Sequence, residues 1–389
     1  MEVNEVYNVN FATEMRFLYV SSGDIFSRHE LGFVAALRAL GKVDVVVLGE
    51  VVETRRRRIG SDNGIWHTEF YHLPRCHLFR ISRCVTPVKM LTEVVGGDYD
   101  AVFATPRLAI FVARALPAPL RVLRLWSIRA AKLRDNLRFG AYGDMLLYVP
   151  SMAANLVYVA ESHYAIAVDH STYMFARQMY LPLRGRIAKL YPPYGFVAER
   201  GEDVAMPEAV ERGGYILGFT SLHKTGAYLT FEAKPHALML YHIAKRTDLD
   251  VVLAGSTYED WRRVFPALSP PKNLHIVGRG FDDYMLAKLY EKARLVVMPI
   301  TNRNISNRLL EALFYGKAVV TSEVAKLIHP ELLHDVHVYI STWDAIVDDV
   351  VKIVRDDERI RRLEKGAEAA YRAMFSTSQN IRFIKRILE

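Results

Sequence analysis

The segment from Leu295 to Val320 constrains the fold most, because apolar and polar stretches alternate in it in a fixed order. An apolar run over residues 295–299 is followed by a polar loop, a helical pattern over 307–315, a glycine stop at Gly316 and a second apolar run. This order predicts the strand–helix–strand unit of a parallel sheet. In such sheets, ligands bind where strand ends meet helix N-termini.

The first turn of this helix has the chemistry of an anion site. Its backbone N–H groups lack partners within the helix, and the helix dipole adds partial positive charge. Ser306 or Asn307 can cap the helix, and Arg308 adds a cation. Glu311 follows one turn later, where a carboxylate repels phosphate and suits a pair of hydroxyls, as on a ribose. On periodicity alone, the favoured interpretation is an ordinary N-capped core helix with a surface glutamate.

Two alternations of strand and helix predict two α/β domains. The first covers residues 1–195, a linker rich in proline, glycine and charge covers 196–213, and the second domain covers 214–374. A C-terminal helix over 375–389 follows, for which packing back on the first domain is one arrangement. The cleft between the domains is the expected site.

Composition limits the setting and the partners. The 389 residues suit two domains, Cys76 and Cys84 offer neither a disulfide framework nor a CxxC metal cluster, and no N-terminal signal peptide is recognisable, so a cytoplasmic protein is expected. The scarcity of glutamine points to a thermophile.

The net charge is +8, and the excess lies before residue 195, with the run Arg55 to Arg58 as its densest part. Such a surface recruits phosphates, an anionic membrane face or nucleic acid, and charge alone does not choose among them.

A resemblance to a known family rests on several of these segments. Residues 306–320 (SNRLLEALFYGKAVV) are similar to the donor-site signature of the retaining glycosyltransferases of family 4, also called glycosyl transferases group 1. Residues 252–255 (VLAG), 273–280 (NLHIVGRG), 289–294 (LYEKAR) and 297–299 (VMP) follow the order and spacing of that family. In the first half, 165–171 (AIAVDHS) and 190–195 (LYPPYG) resemble its strand and crossover.

The resemblance implies an α/β fold of the GT-B type, in which two Rossmann-like, doubly wound domains face a cleft. It also implies a retaining, metal-independent glycosyltransferase of the hexosyltransferase type, with a nucleoside diphosphate sugar as donor substrate and no other cofactor. The late glutamate of the family's E-x7-E pair binds the ribose, and Glu311 matches it. The early glutamate is replaced by Arg303. This arginine would bind an acidic donor sugar or the diphosphate, or it is an unrelated solvated side chain.

The family also places a basic pair on the donor diphosphate. The usual arginine is Phe219 in this chain, and Lys224 and Lys234 compete for the second role. Lys234 is favoured here, because Pro235 after it predicts a helix start, where the helix dipole attracts phosphate.

Two glycines and an acidic pair lie between the later strands. The glycines that flank Arg279 would let the backbone approach a nucleobase, although any tight turn uses glycine. Asp282 and Asp283 are interpreted as the N-cap of a helix and not as metal ligands.

The donor-binding candidates are Gly23, Thr220, Lys224, Lys234, Gly278, Arg279, Arg303, Asn304, Ser306, Asn307, Arg308, Leu309 and Glu311. Candidates on the side of the glycosyl acceptor are Asp24, Arg28 and His29, which share one loop. The family's histidine, expected near residues 104–107, is missing, and no catalytic residue can be named.

The prediction is a transferase that moves a sugar from a nucleotide sugar to a lipid-linked, glycan or other acceptor held by the basic first domain. The partners are a nucleotide sugar, an acceptor glycan or phosphorylated lipid and an anionic membrane surface approached peripherally. The alternatives are a catalytically silent GT-B relative that binds nucleotide sugar, and a nucleic-acid-binding protein. Nucleic acid is not an expected partner, since the arginines are not interleaved with aromatic residues in a recognisable module.

Overall fold

A computed structural model describes residues 15–21, 28–49, 53–74, 90–93, 95–105, 113–114, 116, 118–126, 156–198, 206–302 and 306–389. Two sheets organise these residues, one in each half of the chain. The expected α/β fold with two doubly wound domains is confirmed.

The first sheet has nine strands in the order β8-β7-β6-β5-β1-β2-β4-β3-β9. The strands are β1 (Met15–Ser21), β2 (Gly41–Gly49), β3 (Glu53–Ser61), β4 (Gly64–Pro74), β5 (Ala101–Ala104), β6 (Leu120–Leu125), β7 (Tyr164–Ala167), β8 (Ile187–Lys189) and β9 (Phe196–Val197). They pair in parallel except β3, which is antiparallel to both β4 and β9. The strands predicted from apolar runs are present, whereas the β3–β4 hairpin was not predicted, because four arginines hide the alternation in β3.

The second sheet has six parallel strands in the order β12-β11-β10-β13-β14-β15. They are β10 (Tyr215–Phe219), β11 (Val251–Ala254), β12 (Leu274–Val277), β13 (Ala293–Met298), β14 (Val319–Ser322) and β15 (Tyr339–Ser341). Five of these strands follow from apolar runs in the sequence. Their side chains are buried on both faces, which is typical of a parallel sheet covered by helices.

Helices connect and cover the strands. They are α1 (Arg28–Arg38), α2 (His170–Met179), α3 (Glu208–Arg212), α4 (Gly226–Tyr228), α5 (Lys234–Arg246), α6 (Tyr258–Val264), α7 (Asp283–Lys292), α8 (Asn307–Phe314), α9 (Ala325–Ile328), α10 (Ile346–Ile353), α11 (Asp357–Ala370) and α12 (Thr377–Leu388). A π-helical turn over Leu229–Ala233 joins α4 to α5 without a break, and a second one over Tyr371–Phe375 follows α11. Side chains cap several of these helices, among them α2 through Asp169 and α7 through Asp282.

The two halves are joined by the crossover after β8 and by the C-terminal helix. Part of the predicted linker is regular structure, since Phe196–Val197 pairs with β3 and Glu208–Arg212 is helical. Helix α12 lies on α1, and Ile384 is completely buried in the core of the first half. The side-chain amide of Asn380 donates to the carbonyl of Tyr191 at 2.9 Å, so the chain end is tied to the crossover.

Candidate functional site

A cavity of about 740 Å³ lies between the two halves of the chain. It opens at the carboxyl ends of β10, β11 and β13, where ligands bind in doubly wound sheets. The lining residues are Arg28, Leu31, Arg57 and Val197 from the first half, and Phe219, Thr220, Ser221, Lys224, Tyr228, Glu232, His236, Ala254, Gly255, Met298, Pro299, Ile300, Thr301, Asn302, Ser306, Asn307, Arg308 and Glu311 from the second.

The N-terminus of α8 faces this cavity, as its sequence predicts. The hydroxyl of Ser306 accepts a hydrogen bond from the backbone N–H of Leu309 at 3.2 Å and caps the helix. Asn307 and Arg308 line the cavity, whereas Leu309 is buried in the hydrophobic core. The first turn of α8 therefore presents backbone N–H groups and one guanidinium to a ligand.

Glu311 is buried at the cavity wall, with only 1% of its surface exposed. Its Oε2 accepts hydrogen bonds from the hydroxyl of Tyr290 at 2.8 Å and from Arg308 at 2.6 Å. Its Oε1 lies 4.0 Å from Nε of Arg28 in the other half. The prediction of a surface glutamate is therefore wrong, because the side chain at this position, one turn into α8, points at the cleft and not at solvent.

Arg308 lies between Glu311 and Phe219. Its guanidinium is 4.4 Å from the centre of the Phe219 ring, a cation–π contact. Burial alone would lower the pKa of Arg308, but the carboxylate of Glu311 raises that pKa above its usual value. A permanent positive charge is thus held over Phe219, the residue that stands where the resemblance predicts an arginine.

The two competing lysines occupy different places. Lys224 lines the cavity, with Nζ 4.4 Å from the centre of the Tyr228 ring. Lys234 does not line it, and its Nζ lies 5.7 Å from the ring centre of Phe265.

The preference for Lys234 rests on a predicted helix start at Pro235, which the structure does not have. The helix does not start at Pro235, because residues 226–246 form one continuous helical run. The N–H of Lys234 donates to the carbonyl of Leu229, so no free N–H groups mark a helix start there. The first residue of the run is Gly226, two positions after Lys224, so the positive end of the helix dipole lies near Lys224.

Arg28 and His29 reach across the cleft to the second half. Arg28 donates to Oδ2 of Asp283 at 2.7 Å, and the N–H of Val197 donates to the same oxygen at 2.7 Å. Burial raises the pKa of Asp283, and Arg28 opposes this. Of the predicted cap pair, Asp282 caps α7 through the N–H of Met285 at 2.7 Å, whereas Asp283 anchors Arg28.

His29 contacts the first residue of α8. Its Nδ1 lies 2.8 Å from Oδ1 of Asn307, and its ring packs edge-on against Trp126. Burial, assisted by the charge of Arg124, lowers the pKa of His29 to about 4. The imidazole is therefore neutral near pH 7 and positions Asn307 at the mouth of the site.

Not every predicted residue lies at the cavity. Gly278 and Arg279 do not line it, and Nε of Arg279 pairs with Asp260 at 3.5 Å. Thr220 lines it as predicted, and its hydroxyl donates to the carbonyl of Ala233 at 3.1 Å. Gly23, Asp24, Arg303 and Asn304 lie outside the described residues.

The lining residues that the sequence did not mark as site candidates include Arg57, Tyr228, Glu232, His236 and Asn302. The arginine run by itself predicts only a basic surface, but β3 lies next to the cleft and brings Arg57 into it. Glu232 and His236 are four residues apart, a spacing that places two side chains on one helix face.

Two kinds of feature are absent from the described residues. No group of three or more histidine, cysteine, aspartate or glutamate side chains there is arranged to hold a metal ion. Among the same residues, no helix combines the length and the apolar character needed to cross a bilayer.

Residues 220–356 match the family described as Glycosyl transferases group 1. No curated protein sequence matches the chain significantly.

Several solved structures share the fold over nearly the whole chain. Sucrose-phosphate synthase from Thermosynechococcus elongatus has a TM-score of 0.66 at 14% identity, with 96% of this chain and 98% of that chain covered. The E. coli trehalose-6-phosphate structure bound with UDP-2-fluoro glucose gives 0.60 at 9%, with 96% and 99% covered. The UDP-forming α,α-trehalose-phosphate synthase from Burkholderia xenovorans in complex with glucose-6-phosphate gives 0.61 at 12%, with 96% and 100% covered.

The sequence match lies in the second half of the chain, which provides most of the cavity wall, and the structural matches include this half. The chain has the GT-B fold, and its residues 220–356 match the model of the group 1 glycosyl transferases.

Proposed function

We propose that the protein transfers a sugar from a nucleoside diphosphate sugar to an acceptor bound by its first half. One observation carries this proposal: the buried carboxylate of Glu311 and the N-terminus of α8 line the same cleft cavity. A carboxylate suits the ribose hydroxyls, and the helix end with Arg308 suits the diphosphate. This is the division of chemistry that a nucleotide sugar requires.

The leaving group would be stabilised without a metal ion. Departure of the sugar leaves negative charge on the diphosphate. The cations Arg308 and Lys224 and the backbone N–H dipoles at the start of α8 would stabilise this charge. Arg308 keeps its proton throughout, because Glu311 raises its pKa. Transfer with retention of configuration fits a mechanism that depends on positioning and on this charge stabilisation.

The acceptor would lie on the side of Arg28, Leu31 and Arg57, which line the cavity from the first half. An acceptor that carries phosphate fits this charge, either a sugar phosphate or a phosphorylated lipid. The trehalose-phosphate synthase from Burkholderia xenovorans was solved with glucose-6-phosphate, which supports a phosphorylated acceptor. Arg55 and Arg56 of the same strand are more than half exposed and would support peripheral binding to an anionic membrane surface.

A thermal-shift screen tests the donor assignment. UDP, GDP and ADP, each alone and with a hexose attached, are added at about one hundred times their dissociation constant, where a bound ligand stabilises the native state by about 2.7 kcal/mol. We expect the ligands of one nucleobase to raise the unfolding midpoint by several degrees, and the nucleotide sugar to be at least as effective as the diphosphate of that base. If none of the six ligands shifts the midpoint, the proposed donor class is wrong.

The two lysines provide an internal comparison. Lys224→Ala should weaken binding of the preferred nucleoside diphosphate about tenfold, because it removes a cation from the cavity. Lys234→Ala should leave the dissociation constant unchanged, since its Nζ packs near Phe265 outside the cavity. Calorimetric titration of both variants measures the difference, and the reverse order would restore Lys234 as the phosphate ligand.

A further inference from the structure

One part of the cavity wall has a chemistry that neither the nucleotide nor the diphosphate explains. It consists of Glu232 on the π-helical turn, His236 on α5 and Asn302 after β13, and we call it the Glu232 wall. The side-chain amide of Asn302 donates to Oε2 of Glu232 at 3.0 Å. This hydrogen bond holds the carboxylate against the loop between β13 and α8.

His236 adds a buried nitrogen to this wall. The residue is 4% exposed, and its ring is hydrogen-bonded to the backbone at Phe219 and Val297. Within the part of the chain that the structure describes, no group hydrogen-bonds to its Nε2. A buried polar atom without a partner is unfavourable, so the free protein bears a penalty that a ligand can remove.

The protonation of His236 decides what this nitrogen can bind. Burial lowers the pKa of His236 to about 4, so the ring is neutral near pH 7. With Nε2 unpartnered, the hydrogen bonds to backbone belong to Nδ1, which carries the single ring proton. Nε2 is therefore a hydrogen-bond acceptor that needs an O–H or N–H donor.

Glu232 has the same requirement. An ionised carboxylate only accepts hydrogen bonds, and Asn302 uses one of its two oxygens. Two accepting groups side by side repel phosphate and carboxylate but match neighbouring hydroxyls of a sugar ring. The diphosphate has its own partners in Arg308 and Lys224, and Glu311 is assigned to the ribose, so the hydroxyls left to bind are those of the transferred sugar.

We propose that Glu232 and His236 bind hydroxyl groups of the transferred sugar and thereby select a neutral, hydroxylated donor sugar over an acidic one. The assignment rests on the proposed function and deepens it. The assignment also concerns the loop in which the family resemblance predicts a glutamate and this chain has Arg303. The hydrogen bond from Asn302, the residue before it, brings the carboxylate of another element to the same loop.

Isothermal titration of the whole protein tests the assignment. The probes are UDP, GDP and ADP, then the glucose or mannose derivative of the base that binds best, and finally the glucuronic acid derivative of that base. Wild type should bind the neutral nucleotide sugar more tightly than the diphosphate. Glu232→Ala should weaken the nucleotide sugar about tenfold while the diphosphate affinity stays the same.

Three variants sharpen the experiment. His236→Phe should cause a loss in the same direction, and Glu232→Gln should reduce the discrimination against the glucuronic acid derivative. Glu208→Ala is the control, because its side chain is 93% exposed and Glu208 does not line the cavity.

The outcomes separate two failures. If wild type binds no nucleoside diphosphate, the proposed function is wrong and this assignment falls with it. If the diphosphate binds but Glu232→Ala leaves the nucleotide sugar unaffected, or weakens both ligands equally, only the assignment of the Glu232 wall is overturned. Tighter binding of the glucuronic acid derivative by wild type would overturn it as well.

Discussion

Replacing Glu311 by alanine is expected to weaken nucleoside diphosphate binding about 100-fold, because hydrogen bonds to a buried charged group contribute about 1.5–3 kcal/mol each. The carboxylate is 1% exposed and lines the cavity. Tyr290 and Arg308 both bond to Oε2, which fixes the side chain and leaves Oε1 as the oxygen proposed to accept from the ribose. Sugar transfer should fall with the loss of binding.

The alanine variant has a second effect on the same site. Arg308 loses its partner at 2.6 Å and is no longer held over Phe219, so the diphosphate contact weakens together with the ribose contact. Glu311→Gln keeps the shape and one accepting oxygen but removes the charge, and we expect it to bind with intermediate affinity. Titration calorimetry with the preferred diphosphate measures both variants.

The control for this experiment lies on α11. Glu368→Ala removes an exposed ion pair with Arg372 and should not change nucleotide affinity, since surface pairs contribute about 0–1 kcal/mol and Glu368 does not line the cavity. Circular dichroism of all variants shows whether the fold is kept. Unchanged affinity in a folded Glu311→Ala variant would remove Glu311 from the site.

The parts of the fold that follow local rules were predictable from the sequence. The strands of the second sheet are apolar runs, and α8 begins where Ser306 provides a capping hydroxyl. The place of the proposed anion site follows from the same rule, because the order of strand, loop and helix fixes which ends face the cleft. Glycine in the left-handed region at Gly316, with φ 60°, ends α8 as predicted.

Features that depend on distant parts of the chain were not predictable. Arg308 lies over Phe219 only because β10 and α8 are brought together by the sheet, 89 residues apart in sequence. The helix start predicted at Pro235 is absent because a π-helical turn accommodates this proline within a longer helix, whereas proline more often marks a helix start. No local pattern distinguishes these cases.

The second large effect is a loss of folding stability that we expect in acid. The pKa of His29 and of His236 is lowered to about 4 and that of His329 to about 3, mainly by burial. In the unfolded chain these rings titrate near 6.5, so as the pH falls below this value the unfolded state takes up protons that the folded state refuses. From about pH 7.5 to 5, each histidine therefore lowers the free energy of unfolding by about 2 kcal/mol. Three such groups account for a large part of the 5–15 kcal/mol typical of a protein.

His329 allows this effect to be isolated, because it lies outside the cavity, with its ring 5.2 Å from that of Phe375 and 4.9 Å from that of Tyr191. The charges near it are Glu331, which raises its pKa, and Lys189 and His170, which lower it. Phenylalanine fits this aromatic environment and does not titrate. His329→Phe should thus lose about 2 kcal/mol less than wild type between about pH 7.5 and 5.

Urea unfolding at a series of pH values measures both slopes. Two carboxyl groups, those of Asp62 and Asp283, act in the opposite direction, because desolvation raises their pKa and the folded state then takes up protons first. Their contribution is gained as the pH falls through the raised folded-state pKa toward the usual 3.8, so it offsets part of the histidine effect at the acid end. A wild-type free energy of unfolding that is flat from about pH 7.5 to 5 would mean that these histidines are not buried as neutral rings. A slope that His329→Phe leaves unchanged would assign the acid sensitivity to the other two.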